Sequence, residues 1–181
     1  MQGIHIKFFD LPTIGFAHHF HMESYAQSYA MNDSSFEIVY VKSGAIIAEL
    51  NEKQYEIEPG SVLILFRRLP IRLYSADGSP HSHCSVQIKF NGSAEFIEQD
   101  SGFSISTADG IILPFITPPC HETHEIQKEL HSIVSTLGAS GENGRLSASL
   151  CAMGILSHLN RMFVQKIYSG LGLPSILEYI I

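Results

Sequence analysis

The chain has 181 residues, 45% of them hydrophobic and 16% charged, with 11 basic against 18 acidic side chains and a formal net charge of −7. This much apolar side chain excludes disorder over most of the length, and the acidic balance excludes a nucleic-acid binder built on clustered Lys and Arg. No apolar run approaches the roughly 20 residues of a bilayer span, and the first ten residues, MQGIHIKFFD, lack the charged and apolar blocks of a secretory signal.

Short strands and turns are expected up to about residue 117. Residues 4–9 form a first apolar run, and 15–22 a second candidate strand. Residues 36–42 (FEIVYVK) are β-branched and aromatic and run into the turn Ser43-Gly44. A strand over 45–50 follows, then a polar turn at 51–53. Residues 54–57 lead to Pro59-Gly60, and 61–66 is an apolar run of buried-strand length. Residues 71–74 form a short strand, and ADGSP at 76–80 is a loop. Over 83–90 the residues alternate: Cys84, Val86, Ile88 and Phe90 share one face, and His83, Ser85, Gln87 and Lys89 the other. Strands this closely spaced, with no helices between them, predict an antiparallel sandwich or barrel.

Beyond Thr117-Pro118-Pro119 the period becomes helical. Thr117 is placed to cap a helix with proline at its first position. Ile126, Leu130, Ile133, Val134 and Leu137 then form one amphipathic stripe. A loop is expected over 138–144 and a second helix from about 145 to about 168, stopped by Gly170 and Gly172. That second helix has two apolar stripes. Leu146, Leu150, Met153 and Val164 lie on one side, and Cys151, Ile155, Leu159 and Met162 on roughly the other. Either both are buried within one chain, or one of them meets a second copy. The second option predicts a homodimer through Cys151, Ile155, Leu159 and Met162.

Three cysteines at wide spacing, Cys84, Cys120 and Cys151, make neither a disulfide framework nor a CxxC zinc site. Reduced thiols in a cytoplasm are expected. No GxSxG, GxxxxGK[ST] or GxGxxG motif is present, so neither nucleophilic catalysis nor a nucleotide cradle is indicated.

The segment from Glu37 to Gly44, then Pro59-Gly60, then the apolar run to Phe66 resembles the cupin pattern. More narrowly, it is similar to the N-terminal ligand-sensing cupin of AraC-family transcription regulators. The resemblance implies a mainly β fold: a cupin-type (double-stranded β-helix) barrel over 1–116, followed by two α-helices. Those helices form a dimerisation segment over 117–173. It further implies that PSILEYII at 174–181 begins a DNA-binding region, so that DNA is contacted only through a segment beyond this chain. The implied role is to sense a small-molecule effector, without catalysis and without a cofactor. The alternative is a metal-dependent cupin enzyme, an isomerase or a dioxygenase. Against it, the family's metal ligands are largely missing. Met31, Asn32 and Asp33 stand where a His pair precedes Glu37 in metal cupins, and Arg67, Arg68 and Arg72 stand where a further His is expected.

The candidate ligand-binding residues are Glu37, Arg67, Arg72, His19, His21, His83 and Gln87. Glu37 either hydrogen-bonds a ligand or pairs with an arginine. One of Arg67, Arg68 and Arg72 turned inward would clamp a carboxylate, phosphate or sugar hydroxyl; outward, all three are solvated. His19 and His21 share one strand face, with His18 on the other. The polar face of His83, Ser85 and Gln87 lines either the barrel interior or solvent. His121, His124 and Glu125 have the spacing of a metal-binding helix face, but Glu122 and Glu125 also suit the first turn of a helix through its dipole.

Overall fold

A computed structural model describes residues 2–28, 34–67, 69–98, 110–139 and 141–170. Twelve strands precede two helices among these residues. The strands are β1 (Gln2–Phe8), β2 (Thr13–Met22), β3 (Ala26–Ser28), β4 (Ser35–Ser43), β5 (Ile46–Leu50) and β6 (Lys53–Ile57). They continue with β7 (Val62–Phe66), β8 (Arg72–Ser75), β9 (His81–Lys89), β10 (Gly92–Glu98), β11 (Ile111–Pro114) and β12 (Ile116–Thr117). The helices are α1 (His121–Ala139) and α2 (Gly141–Gly170).

The strands assemble into three antiparallel sheets, in the orders β10-β1-β11, β12-β7-β4-β9-β2 and β3-β8-β5-β6. The five-stranded sheet is the centre of the molecule because both of its faces are apolar over β4 and β7. On one face Ile38, Tyr40, Ile64, Phe66, Cys84, Val86 and Ile88 pack against Ile126, Leu130 and Ile133 of α1 and Ala152, Ile155 and Leu159 of α2. On the other, Val39, Val41, Leu63 and Leu65 pack against Ile46, Ala48, Leu50 and Leu73 of the four-stranded sheet. The fold is thus a cupin-like sandwich closed on its outer side by two helices. Among the described residues no hydrogen-bonded ladder joins the two sheets.

The turns set the register. Asn51 and Glu52 both take positive φ in the two-residue β5–β6 hairpin, as its twist requires. Gly44 joins β4 to β5 at φ 70°, where a Cβ would lie 2.2 Å from the Pro80 carbonyl oxygen. Only glycine fits there.

Two expectations about the helices are corrected. Thr117 ends β12 and caps nothing. The cap of α1 is Cys120, whose N–H donates to Thr123 Oγ1 at 3.0 Å while the Thr123 hydroxyl donates back to the Cys120 carbonyl at 2.9 Å. Residues 116–117 are drawn into the sheet instead because they pair with β7. The loop expected over 138–144 is largely helix, since α2 already starts at Gly141. No helix among the described residues is long and apolar enough to cross a membrane.

Candidate functional site

The interior between the two sheets collects polar side chains from β4, β9 and β2. Register dictates this. Glu37 lies opposite Gln87, Val39 opposite Ser85 and Val41 opposite His83. The helices take the Cys84, Val86 and Ile88 face of β9, so the His83, Ser85 and Gln87 face turns inward. His81, His83, Ser85 and Gln87 are all buried. The half-exposed alternative for this face is excluded.

At one end Arg67 donates to Glu37 Oε1 in an ion pair. Burial pushes the Glu37 carboxyl up, and the Arg67 guanidinium opposes it. Gln87 donates from Nε2 to Ser35 Oγ at 3.3 Å. This end is therefore polar and internally satisfied at Glu37.

At the other end the groups are aromatic and neutral. His81 Nδ1 lies 3.0 Å from the Gly44 carbonyl oxygen, and His81 Nε2 lies 2.9 Å from His83 Nδ1. A carbonyl only accepts, so His81 Nδ1 carries the proton and neutral His81 accepts at Nε2. The shared hydrogen then belongs to His83 Nδ1, which leaves His83 Nε2 a bare acceptor. Burial, then the neighbouring His81 and His18, lowers His83 to about 3. His81 and His18 are lowered as well, chiefly by burial. Phe20 stacks on His83 with ring centroids 4.7 Å apart, and Tyr25 lies 5.0 Å from His81. Between the two ends Ser85 is fully buried, and its Oγ has no hydrogen-bond partner among the described residues. An unpaired buried hydroxyl costs about 1–3 kcal/mol, so the interior holds unspent hydrogen-bonding capacity.

Of the expected site residues, the structure brings Glu37, Arg67, His83 and Gln87 to this interior. It places the others elsewhere. His19 pairs with Cys84, and so lies on the helix side, with its ring 4.9 Å from that of His131. His21 is exposed and lies 3.7 Å from Glu23. His18 is the β2 histidine that faces His83, at 5.7 Å between ring centroids. Arg72 points outward over the Tyr74 ring at 5.4 Å, because the buried positions of β8 are Leu73 and Ser75. Arg68, Met31, Asn32 and Asp33 lie outside the described residues, as does the 174–181 segment. Sequence reasoning missed His18, His81, Phe20 and Tyr25 as interior groups. The HSH triplet at 81–83 was the available signal for His81.

The stripe expected to face a second subunit is also corrected. Ile155 and Leu159 are fully buried in the chain's own core, Met162 is half-buried and Cys151 is exposed. Among the described residues, the large apolar side chains α2 leaves open are Leu146 and Leu150, at 59% and 57% exposure. On α1, His124 is exposed and bonds the Cys120 carbonyl, and Glu125 pairs with Lys128 at 2.8 Å. Among the described residues no three His, Cys, Asp or Glu side chains group as metal ligands.

Several solved structures are similar at low identity. The EutQ protein of Clostridium difficile is 14% identical, over 44% of this chain and 55% of its own, with a TM-score of 0.36. ToxT of Vibrio cholerae is 10% identical, over 91% of this chain and 60% of its own, with a TM-score of 0.43. A cupin protein of Bacteroides fragilis is 16% identical, over 54% of this chain and 77% of its own, with a TM-score of 0.34. The chain thus spans little more than half the length of the first two. No curated protein sequence matches it. The family described as the AraC-like ligand binding domain matches residues 12–159, a stretch running from β2 through the sandwich, across α1 and into α2. With both sheets' interior strands and most of both helices inside that match, the chain belongs to the AraC-like ligand-binding domain family.

Proposed function

We propose that the chain is the effector-sensing domain of a transcription regulator and binds a small polar molecule in the sandwich interior. The observation that carries this reading is the enclosed polar face of β9, with a bare acceptor at His83 Nε2 and an unpartnered hydroxyl at Ser85. Together these groups suit a ligand that donates hydrogen bonds, such as a hydroxylated or amino-bearing metabolite, with Phe20 and Tyr25 covering its apolar part. Arg67 is held by Glu37 in the free domain. A ligand that displaces either partner would shift α2 through the shared sheet, whose opposite face packs on both helices. A sensor is favoured over a metal-dependent cupin enzyme because Glu37, which matches the metal pattern, is committed to Arg67.

The working form is a homodimer through the open face of α2, supported by exposed Leu146 and Leu150. DNA is contacted through a region outside the described residues, in the cytoplasm. A thermal-shift screen of hydroxylated and amino-bearing metabolites tests the sensing role. A ligand at 100 times its dissociation constant adds about 2.7 kcal/mol of stability. That gain should be lost in Ser85→Val, which fills the site with a methyl group. A ligand that stabilises the wild type and Ser85→Val equally would place the binding site outside this interior.

A further inference from the structure

A cavity outside the sandwich interior lies where β12, the entry to α1 and the last turns of α2 meet β6. It encloses about 360 Å³, within the range that holds a small organic molecule. Its apolar walls include Tyr55, Phe115, Met162 and Phe163. The Tyr55 and Phe115 rings meet edge to face at 5.5 Å. The Gln2 amide also lines it and donates to the Tyr55 hydroxyl at 2.8 Å, and two further polar groups stand out against these walls. Thr117 lines the cavity and is 7% exposed, and its Oγ1 has no hydrogen-bond partner among the described residues. Lys166 stands on the rim, and no acidic side chain is among the lining residues.

An unpartnered buried hydroxyl is costly unless something completes it. A lone ammonium beside an aromatic cavity selects for negative charge next to a flat apolar body. We propose that this cavity is a second small-molecule site and takes an aromatic monocarboxylate. The ring sits among Tyr55, Met162 and Phe163, and the carboxylate accepts from Lys166 and, once the occluded Thr117 side chain turns toward it, from the Thr117 hydroxyl. Because Met162, Phe163 and Lys166 belong to α2, the occupant would bear on the same helix that packs on the five-stranded sheet.

The test is a titration of methyl-labelled methionine protein with naphthoate, read at the Met162 methyl by NMR. The expected result is a saturable Met162 shift. Its apparent dissociation constant should rise about tenfold in Lys166→Met, as for a charge-assisted contact. It should rise also in Thr117→Val, which keeps the side-chain shape, removes the hydroxyl and leaves the free chain at least as stable. Naphthalene methanol, without the charge, should bind more weakly than naphthoate. A silent Met162 methyl at millimolar naphthoate would overturn the proposal. So would naphthoate binding unchanged in both variants, or a response confined to the His81 and His83 ring signals of the interior.

Discussion

Leu159 and Leu150 both sit on α2, two and a half turns apart at most, yet aspartate at the two positions should have opposite consequences. Leu159 is 0% exposed and belongs to the core under the five-stranded sheet. Deleting such a side chain to alanine costs about 2–5 kcal/mol, as transfer free energy plus the cavity left behind. Aspartate adds the desolvation of a carboxylate set in an apolar cluster, so the total is about 5 kcal/mol or more. That is comparable with the entire stability of a typical domain, about 5–15 kcal/mol. Leu150 is 57% exposed, and aspartate there should change the monomer by no more than about 0.5 kcal/mol. If the open face of α2 joins two copies, however, the same substitution places two carboxylates in that interface. Urea denaturation and sedimentation velocity separate the cases. Leu159→Asp should be unfolded or shifted to a far lower midpoint. Leu150→Asp should keep the wild-type midpoint per monomer and sediment as a monomer where the wild type is a dimer. A cooperatively folded Leu159→Asp with a midpoint near wild type would refute its placement in the core. A wild type that is monomeric at tens of micromolar would refute the dimer.

His83, held neutral by burial, should make stability fall as the medium is acidified. Its folded pKa of about 3 lies below the ordinary 6.5, so the unfolded chain binds the proton first. The contribution is fully present above pH 6.5 and is lost toward pH 3, at up to about 1.4 kcal/mol per pH unit. His83→Gln should flatten the measured slope over that window, and an unchanged slope would refute the assignment. Ser85→Ala should stabilise the ligand-free domain by about 1 kcal/mol by removing an unpaired buried hydroxyl; a loss of similar size in thermal unfolding would show that the hydroxyl is already satisfied. Glu37→Ala should destabilise by about 2–4 kcal/mol because the mostly buried ion pair with Arg67 is broken, whereas a neutral result in urea titration would mean the ion pair is dispensable. Gly44→Ala should destabilise by more than about 1 kcal/mol, since φ is positive and the Pro80 carbonyl occupies the space of a Cβ; a wild-type midpoint would refute that account of the turn.

The strands bounded by strong turn chemistry were legible in the sequence. Ser43-Gly44 and Pro59-Gly60 end β4 and precede β7, and the Ile126 to Leu137 stripe marks α1. Strands β10, β11 and β12 were not, because their apolar content does not alternate over enough residues to separate them from loop. The residue period also fixed which side chains share a face without fixing which face is inside. On β2, histidine occupies both faces, at His18 and at His19 and His21. Only the pairing of His18 with Ser85 and of His19 with Cys84 decides between them. The same limit applies to α2. Both of its stripes are apolar, and the one carrying Ile155 and Leu159 is buried because it lies over the sheet, a placement set by the whole tertiary packing. The cap of α1 shows a different competition. Thr117 has the right side chain for a cap, but its backbone is already committed to pairing with Val62.

At 30 residues α2 is about 45 Å long, at 1.5 Å of rise per residue. It is pinned to the β-structure by one side chain in particular: Asn160 Oδ1 accepts from the Ile112 N–H of β11 at 2.7 Å. That bond lies in the C-terminal half of the helix and divides it into unequal arms. The longer arm, toward Gly141, reaches about 28 Å from Asn160. Treated as a rigid rod turning about this pin, α2 converts a tilt of about 5° into about 2.5 Å of travel at its far end, but only about 1.3 Å at Gly170. A displacement of the sheet too small to break its own ladder would therefore appear largest toward Gly141, at about 1.8 Å for Leu146 against about 1.3 Å for Leu150, so in the proposed dimer the angle between the two copies would be a sensitive gauge of what the interior holds.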